Sequence, residues 1–400
     1  MFQLSGARQP FSPAGPGVAA LSVVRDQHAG SPDQALVLAF IVAIVLGCIM
    51  VYSATIVSHG QTLLRTTEQL LRQLIFAISG GLLAWLSSRL PLPWLQRLAK
   101  VAVLVAVLLL VLVFTPLGIM RNGAQRWIAL PGIMFQPSEL SKLLLVLYAA
   151  DFLARKQDVI GHFQEGVFGL LLVLMLTMLL LLQEPDFGTA VVLGAAVLGM
   201  LFMAGMYWRH MIPLFAAVSA AGIYLVFSQA YRMDRVIAFL DPWSDRYGKG
   251  LQLVHSLIAF GRGHWFGVGL GESVQKLRYL PHPDSDFLLA VIGEELGFVG
   301  VIGVMVIFVV IGWRAFALAL RAEQQGFVFA ARLAQGLGLL LVLQAMMNIA
   351  VNLGAMPTKG INLPLMSAGG SSLMSSSIEV GLLLAVSRLV GRTTTRKRKR

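Results

Sequence analysis

Four acidic residues lie close together in one stretch of the chain, LRYLPHPDSDFLLAVIGEELGFVG, at residues 277–300. Asp284 and Asp286 stand where a polar, proline-containing loop meets an apolar run, and Glu294 and Glu295 lie inside that run. Charged side chains within apolar segments of membrane length are energetically costly and commonly functional. We therefore predict that Asp286 is a catalytic base at the outer surface of a membrane.

The same stretch also allows structural explanations. Ser285 or Asp286 could cap the helix that follows, because a side-chain oxygen at that position accepts a backbone N–H. Glu294 and Glu295 follow Asp286 at a separation of about 12–13 Å along a helix that rises 1.5 Å per residue. A direct acid–base pair cannot form over that distance. We expect these glutamates to pair with buried donors or to line a polar cavity.

The composition is typical of a polytopic α-helical membrane protein. Of 400 residues, 57% are hydrophobic and 12% are charged, whereas soluble proteins have roughly 25% charged residues. Apolar stretches of about 20 residues recur, and each can span a bilayer as a helix. We predict an all-α fold with ten transmembrane helices. The predicted spans are approximately 34–57, 69–88, 96–115, 138–155, 166–183, 187–205, 210–229, 286–312, 327–353 and 371–390.

The distribution of Lys and Arg predicts the orientation of these spans. Basic residues are concentrated in the segments that are cytoplasmic if both termini lie inside, as the positive-inside rule expects. Residues 1–33 are then a disordered cytoplasmic tail, 34–390 the membrane domain and 391–400 a basic cytoplasmic tail. The long loop at 229–285, between helices seven and eight, is extracytoplasmic, and we expect short amphipathic helices within it. The polar stretches gather on this outer side, so the chemistry is predicted there.

Other functional classes are disfavoured by the sequence. The net charge of +12 comes from short loops and one tail rather than from a basic face with interleaved aromatic residues, so no nucleic-acid partner is expected. The single cysteine, Cys48, excludes an intramolecular disulfide and a Cys-based metal site. The motif GVGLG at 267–271 lacks the preceding strand and the spacing of a nucleotide-binding loop.

Three outer cations are candidates for binding a phosphate. Arg232 and Arg235, in the motif YRMDRV, could bind a pyrophosphate group, and snorkelling toward the membrane interface explains them equally well. Lys359 is the one cation in the Pro-, Gly- and Ser-rich segment 356–373. The glycines of that segment permit close approach of the backbone to a ligand.

Two further polar motifs interrupt apolar runs on the same side. In QPSELSK, Ser138 is a candidate helix cap, while Glu139 and Lys142 are three residues apart on one helix face and could pair. Lys142 could equally meet a phosphate. Glu184 and Asp186, in QEPDFGTA, form either a plain polar turn or part of the wall of a polar cavity.

Taken in order, these motifs resemble the SEDS family of bacterial membrane proteins (shape, elongation, division, sporulation). The matching segments are RWIALPGIMFQPSELSK, QEPDFGTA, YRMDRVIAFLDPW, the YLP…DF…GEELG block and PTKGINLPL…GGSSL. The resemblance covers nearly the whole chain from about residue 34. The PTKG and DPW segments are more similar to the division branch of the family than to its elongation branch.

The resemblance implies a ten-span peptidoglycan glycosyltransferase of the bacterial inner membrane that polymerises lipid II into glycan strands at the septum. The essential aspartate of the family falls on Asp286, which would act as general base in an inverting transfer. For contacts with the lipid II sugars and pyrophosphate we expect Lys359, Arg232, Arg235, Asp284, Ser371 and Ser372. For a supporting polar cavity we expect Glu139, Lys142, Glu184, Asp186, Glu294 and Glu295.

The resemblance also implies partners. These are a class B penicillin-binding protein transpeptidase and other membrane proteins of the division complex. No cofactor is required by the sequence. A divalent cation, Mg²⁺ or Mn²⁺, could assist the departing pyrophosphate, but no cluster of ligands in the sequence points to one.

The chain departs from the family pattern at three places. The family commonly has Pro-Glu-Ala-His-Thr-Asp before span eight, whereas this chain has His282 at the position of the Glu and Asp284 at that of the His. The register has no gap, so Asp286 keeps its position. Ala368 replaces a usual Tyr, and Ser375–Ser377 with Glu379 make the last span unusually polar.

Two other functions are compatible with parts of the sequence. A transporter that flips lipid II would also carry intramembrane acids, although transporter sites usually lie near the middle of the membrane rather than at one face. A non-catalytic division scaffold could use the basic segment TRKRKR to bind anionic lipid or a cytoplasmic partner.

Overall fold

The computed structural model describes residues 30–56, 63–121, 124–130, 133–277 and 279–398. Residues 1–29 of the predicted cytoplasmic tail lie outside this described part of the chain. The α-helices are α1 Gln34–Ile56, α2 Leu63–Ser87, α3 Leu92–Val113, α4 Pro137–Arg155, α5 Phe168–Gln183, α6 Phe187–Met203, α7 Trp208–Phe227, α8 Ala230–Leu240, α9 Leu251–Gly263, α10 Leu288–Glu295, α11 Gly297–Gln324, α12 Val328–Asn352 and α13 Gly370–Arg398. A 3₁₀ turn, Gln157–Val159, and a π turn, Phe163–Val167, connect α4 to α5.

The predicted class of helical membrane protein is confirmed. Eight helical segments within the described residues are long and apolar enough to cross a bilayer. The predicted count of ten is not reached on these criteria. Helix α6 is apolar but has only 17 residues, and α4 carries Glu139, Lys142, Asp151 and Arg155, which lower its hydropathy.

A small antiparallel sheet between α3 and α4 was not expected from the sequence. Its strands are β1 Gly118–Arg121, β2 Ala124–Leu130 and β3 Ile133–Phe135, in the order β1-β2-β3. The register pairs Gly118 with Ile128 and Ile128 with Phe135, with an irregularity after Ile119. The strands are too short for a clear alternating pattern, so the loop composition of this segment concealed them.

The predicted span eight is broken. The short helix α10 ends at Glu295, and α11 begins at Gly297, whose φ of +68° is accessible to glycine at little cost. The predicted cap is also wrong, because the N-cap of α10 is Phe287, whose side chain makes no capping hydrogen bond, and the Ala290 N–H of the first turn donates to Asn352 of α12. Asp286 therefore lies in the loop before the helix, where its carboxylate is not consumed by capping.

The strap formed by residues 264–269 covers this break. The N–H groups of Val268 and Gly269 donate to the Glu294 and Glu295 carbonyls at 3.0 and 3.1 Å. A Cβ on Gly267 would lie 2.0 Å from the Glu295 carbonyl oxygen, so only glycine fits. The motif GVGLG thus has a structural role: its N–H groups bond to the backbone carbonyls that lose their helical partners where the helix is interrupted.

Helices α12 and α13 form the centre of the molecule. In their membrane-length windows 72% and 78% of residues are buried, compared with 6% for α7.

The long loop contains the short helices α8 and α9, as expected. Helix α13 continues to Arg398. Residues 391–398 therefore extend the last helix, whereas the sequence predicts a separate tail there.

Candidate active site

The backbone of Asp286 is fixed by two asparagines of α12. The side-chain amides of Asn348 and Asn352 donate to the Asp286 carbonyl at 2.9 and 3.0 Å. The Asn352 side-chain oxygen also accepts the Ala290 N–H of α10 at 3.2 Å, and Asn348 donates to the Ile361 carbonyl at 2.6 Å. These amides connect the loop before α10, helix α10 itself and the segment after α12.

The segment between α12 and α13 holds the two residues before Asp286. The Ala368 N–H donates to the Asp284 carbonyl at 2.9 Å, and the Ser367 hydroxyl donates to the Ser285 carbonyl at 2.6 Å. Three consecutive carbonyls are thus bound by neighbouring elements. The position of Asp286 is determined through its backbone, and its carboxylate is left for other contacts.

The Asp286 carboxylate lies against Gly360. A Cβ built on Gly360 would sit 2.8 Å from Asp286 Oδ2, closer than a side chain normally approaches. Burial raises the pKa of Asp286 to about 6, an increase that the positive charge of His282 opposes and the negative charge of Asp284 supports. A general base acts most effectively with a pKa close to the ambient pH, and Asp286 meets that condition.

A group of cations lies beside this carboxylate. Lys359 Nζ is 3.3 Å from the centroid of the Phe187 ring, and the Arg232 guanidinium carbon is 5.8 Å from the same centroid. Arg235 donates to the Thr358 carbonyl at 3.1 Å. Burial, followed by the charges of Arg235 and Arg232, lowers the pKa of Lys359 to about 7. Like charges held together in this way form a site for an anion.

Arg126, on strand β2, is a site residue that sequence reasoning overlooked. Its guanidinium donates to the Glu184 carbonyl at 2.9 Å and to the Pro185 carbonyl, and it lies 3.9 Å from the Asp186 carboxylate. Its charge also acts on both Asp286 and Lys359. In the sequence, only its place in the motif RWIALPG pointed to Arg126, because nothing in that segment indicated that the residue would lie on a strand.

Asp186 organises the turn on the other side of the cations. It caps α6 by accepting the Thr189 N–H at 3.3 Å, and it accepts hydrogen bonds from Ser138 at 3.1 Å and Gln136 at 3.5 Å. Ser138 is therefore not the predicted cap of α4, whose N-cap is Gln136 without a side-chain bond. It connects α4 to the turn before α6.

Glu184 is buried, and neither carboxylate oxygen has a hydrogen-bond partner among the described residues. Burial and the nearby charge of Asp186 raise the pKa of Glu184 to about 9, with Arg126 acting in the opposite direction. The carboxyl group therefore carries its proton at neutral pH and contributes no negative charge beside the cations.

Glu294 is paired on every side. It accepts from Arg262 at 2.9 Å, from the Ser273 hydroxyl, and from the Val274 and Gln275 N–H groups at 3.1 and 3.2 Å. The carboxylate is fully buried. It fixes the segment around residue 274 to the end of α10.

Glu295 forms a second buried pair. Lys276, itself 1% exposed, donates to Glu295 and to the Gly271 carbonyl, both at 2.7 Å. The Ser53 hydroxyl of α1 donates to the same carboxylate at 2.7 Å. Both glutamates thus pair with buried donors, one of the two alternatives that the sequence left open.

Glu139 and Lys142 pair inside the bundle. Their charged groups are 2.7 Å apart and buried, and Lys142 also bonds to Gln344. Ser375 of α13 donates to the Glu139 carbonyl at 2.8 Å and to Glu379 at 3.3 Å. The polar residues of the last span complete this network, and Lys142 does not reach the open surface where a phosphate would bind.

The two serines expected to contact substrate are buried. Ser371 accepts the Gln136 N–H at 3.0 Å and donates to the Met134 carbonyl at 3.3 Å, so it connects β3 and the start of α4 to α13. The hydroxyl of Ser372 is buried without a partner among the described residues. In this structure neither serine lies at the surface of the loop.

An apolar cleft of about 370 Å³ opens next to the cations. Phe187 lines it together with residues of α7 and α8, among them Gly222, Ile223, Phe227 and Met233. Phe187 therefore has an apolar cleft on one side and the Lys359 ammonium over its ring. The arrangement suits a molecule with an anionic head and a long apolar tail.

A divalent cation remains a prediction. Within the described ranges no group of three or more His, Cys, Asp or Glu side chains could hold a metal ion.

Comparison with known proteins identifies the family of this chain. The model of the FtsW, RodA and SpoVE cell cycle proteins matches residues 33–391. A protein of Alcanivorax borkumensis named "Probable peptidoglycan glycosyltransferase FtsW" is 42% identical over 364 residues, covering 90% of this chain and 94% of the relative.

Solved structures agree with this. A chain of a peptidoglycan synthase complex that coordinates polymerization and crosslinking is 31% identical, with a TM-score of 0.73 over 90% of this chain and 98% of that chain. The Thermus thermophilus rod shape determining protein RodA is 29% identical, with a TM-score of 0.65 over 90% and 97% of the two chains.

Proposed function

The chain belongs to the SEDS family of cell cycle proteins, and we propose that it is an FtsW-type peptidoglycan glycosyltransferase that polymerises lipid II with Asp286 as its general base. The observation that carries the residue assignment is the position of Asp286. Its backbone is held by α12 while its partly buried carboxylate, with a pKa near 6, meets Gly360 beside a group of cations.

The proposed reaction is an inverting glycosyl transfer. Asp286 takes the proton of the acceptor sugar's 4-hydroxyl as that oxygen attacks the donor's anomeric carbon. The new glycosidic bond forms while the bond to the pyrophosphate oxygen breaks, and undecaprenyl pyrophosphate leaves. The acceptor proton ends on Asp286, from which solvent removes it before the next cycle.

The cations beside Asp286 are suited to the leaving group. Lys359 and Arg232 lie over the Phe187 ring, and Arg235 donates to the Thr358 carbonyl next to Lys359. An incoming pyrophosphate would return Lys359 to its charged form because it relieves the repulsion among these residues. The negative charge that develops on the departing oxygen is stabilised by the same groups. If a divalent cation takes part, it would supply further Lewis-acid stabilisation of that pyrophosphate.

The apolar cleft beside Phe187 is suited to the lipid tail. Lipid II carries its anionic pyrophosphate between the sugars and a polyprenyl chain. A pyrophosphate held over Phe187 would direct that chain toward the cleft between α7 and α8. The low burial of α7 leaves this side open to the surrounding membrane.

The proposal includes a location and a partner. We place both termini in the cytoplasm and Asp286 at the extracytoplasmic face of the inner membrane, at the septum. The structural relative in a peptidoglycan synthase complex supports a class B penicillin-binding protein as the partner that crosslinks the new strands. Other membrane proteins of the division complex are further expected partners.

The test is polymerisation of lipid II by the purified full chain with its transpeptidase partner, with the glycan products resolved by size. We expect long products from the wild type and none from Asp286→Ala. Glu272→Ala, which removes an exposed acid of the same loop, serves as the matched control and should retain activity. A wild type without polymerase activity, or an Asp286→Ala variant as active as the wild type, would contradict the proposal.

A further inference from the structure

Helices α2 and α13 pack side by side and run in the same direction. A Cβ on Gly80 would lie 2.7 Å from the Ser377 hydroxyl, and one on Gly381 would lie 2.0 Å from the Ser87 hydroxyl. The contacts thus advance along both helices together, toward the end of the bundle opposite Asp286. Glycines at the crossing points allow the close approach.

This packing brings two arginines together at that end. Arg89 follows the last turn of α2, and Arg388 lies two turns beyond Gly381 on α13. Because side chains on a helix lean toward its N-terminus, the Arg388 side chain extends back toward Arg89. The two guanidinium groups are close enough for their charges to repel each other.

Neither arginine has an acidic partner in the part of the chain that the structure describes. Among the described residues, the salt bridges within 4.0 Å involve other pairs, and Arg388 Nε is buried without a hydrogen-bond partner. Arg89 is held over the Trp85 ring, with its guanidinium carbon 4.1 Å from the centroid. A buried donor without a partner is costly, so the arrangement indicates a missing acceptor.

The acid packed beside this part of α13 is already paired: the Asp33 N–H donates to the Ser387 hydroxyl at 3.1 Å, and the Asp33 carboxylate forms a salt bridge with Arg314. The chain contains no Asp or Glu between Glu68 and Glu139, and none after Glu379. Arg97 and Lys100 add further positive charge in the first turns of α3. Trp85 is half exposed on α2, and tryptophan favours the level of the lipid headgroups.

We propose that Arg89 and Arg388 form a binding site for the phosphate diester of an anionic membrane phospholipid. Each guanidinium presents a planar fork of donors that matches two phosphate oxygens, and one phosphate between the two forks would relieve their repulsion and give Arg388 Nε its acceptor. The Trp85 ring lies beside the lipid glycerol. The site is separate from Asp286 and does not depend on the function proposed for that residue.

Native mass spectrometry of the purified full chain, titrated with phosphatidylglycerol, tests the site. We expect the double variant Arg89→Gln/Arg388→Gln to weaken binding of the first lipid about 10- to 30-fold, since each cation near an anionic lipid contributes on the order of a fivefold change in affinity. The matched control Arg209→Gln/Arg321→Gln removes the same charge from exposed arginines at the same end and should bind like the wild type.

Further measurements identify the ligand and control for misfolding of the variants. Phosphatidylcholine should bind weakly to wild type and variant alike. Arg89→Lys/Arg388→Lys keeps the charge but removes the forks, and we expect an intermediate loss. Equal weakening by the control pair, or unchanged binding in both the Gln and the Lys pairs, would overturn the proposal. Displacement of phosphatidylglycerol by millimolar inorganic phosphate would assign the site to a soluble anion and overturn the lipid assignment.

Discussion

The carboxylates at the two ends of α10 differ in what surrounds them, although only a two-turn helix separates them. At the C-terminal end, Glu294 and Glu295 are fully buried, and arginine, lysine, serine and backbone groups donate to them. At the N-terminal end, the Asp286 carboxylate meets Gly360, and the charges of His282 and Asp284 act on it in opposite directions. The carboxylates at the C-terminal end are fully occupied by hydrogen-bond donors, whereas the Asp286 carboxylate at the N-terminal end remains available to a substrate.

This difference separates acids that join elements from an acid that can react. A buried carboxylate with a full set of donors has no free lone pair for a substrate proton. A carboxylate whose pKa is raised by burial, and whose backbone alone is fixed, can exchange a proton near neutral pH. Asp286, Glu294 and Glu295 are all acidic and close in sequence, and their surroundings separate the two roles.

Removal of Lys276 is expected to have the largest effect, because it leaves one of the buried glutamates at the C-terminal end of α10 without its cation. Lys276→Met leaves Glu295 buried without its cation, and the loss of one partner of a buried pair costs about 3–5 kcal/mol of stability. We expect a large decrease in the thermal unfolding temperature of the purified protein. Asp286→Asn is the matched control, because among the described residues this carboxylate forms no salt bridge and burial disfavours its charged form, so the unfolding temperature should not fall.

A second variant distinguishes loss of the pair from loss of packing. Lys276→Met/Glu295→Gln removes both charges and should recover a large part of the lost stability. A double variant as unstable as Lys276→Met alone would show that the lysine acts through packing, and the two ends of α10 would then not differ in the way described.

Gly360→Ala tests the N-terminal end of α10, where the Asp286 carboxylate is available to a substrate. The new methyl group would lie 2.8 Å from Asp286 Oδ2, so either the carboxylate or the loop must move. Because a misplacement of about 1 Å can cost on the order of a hundredfold in rate, we expect kcat for lipid II polymerisation to fall about 10- to 100-fold. Gly303→Ala, where the added Cβ meets open space, should retain full activity.

Much of this contrast could not be inferred from sequence. Apolar run lengths predicted the helical membrane class and the approximate bounds of most helices, and the motif order led to Asp286. The break at Gly297 was concealed because the apolar run continues through it, and the strap that satisfies it comes from residues thirty positions earlier. Arg126, Asn348, Asn352 and Lys276 act through contacts between distant segments, which one sequence without an alignment does not reveal.

The cations next to the open end predict a binding effect smaller than that of Gly360→Ala on turnover. Lys359→Ala removes one of the charges around Phe187, and we expect KM for lipid II to rise about tenfold with a lesser change in kcat. Arg246→Ala is the control, since it removes an exposed cation of the same long loop. A change in kcat without a change in KM would argue against a phosphate-binding role.

The smallest expected effect is a shift in the pH dependence of kcat/KM. Asp286 must be deprotonated to act as a base, so activity should fall as the pH drops through about 6, the pKa of this group. Asp284 raises that pKa and His282 lowers it. Asp284→Asn should therefore move the acidic limb to lower pH, and His282→Asn should move it to higher pH. Asparagine tolerates the positive φ of +54° at residue 282, so the backbone is preserved. Limbs that move in the same direction, or not at all, would show that Asp286 does not set this limb, and its end of α10 would lose its distinction from the paired glutamates.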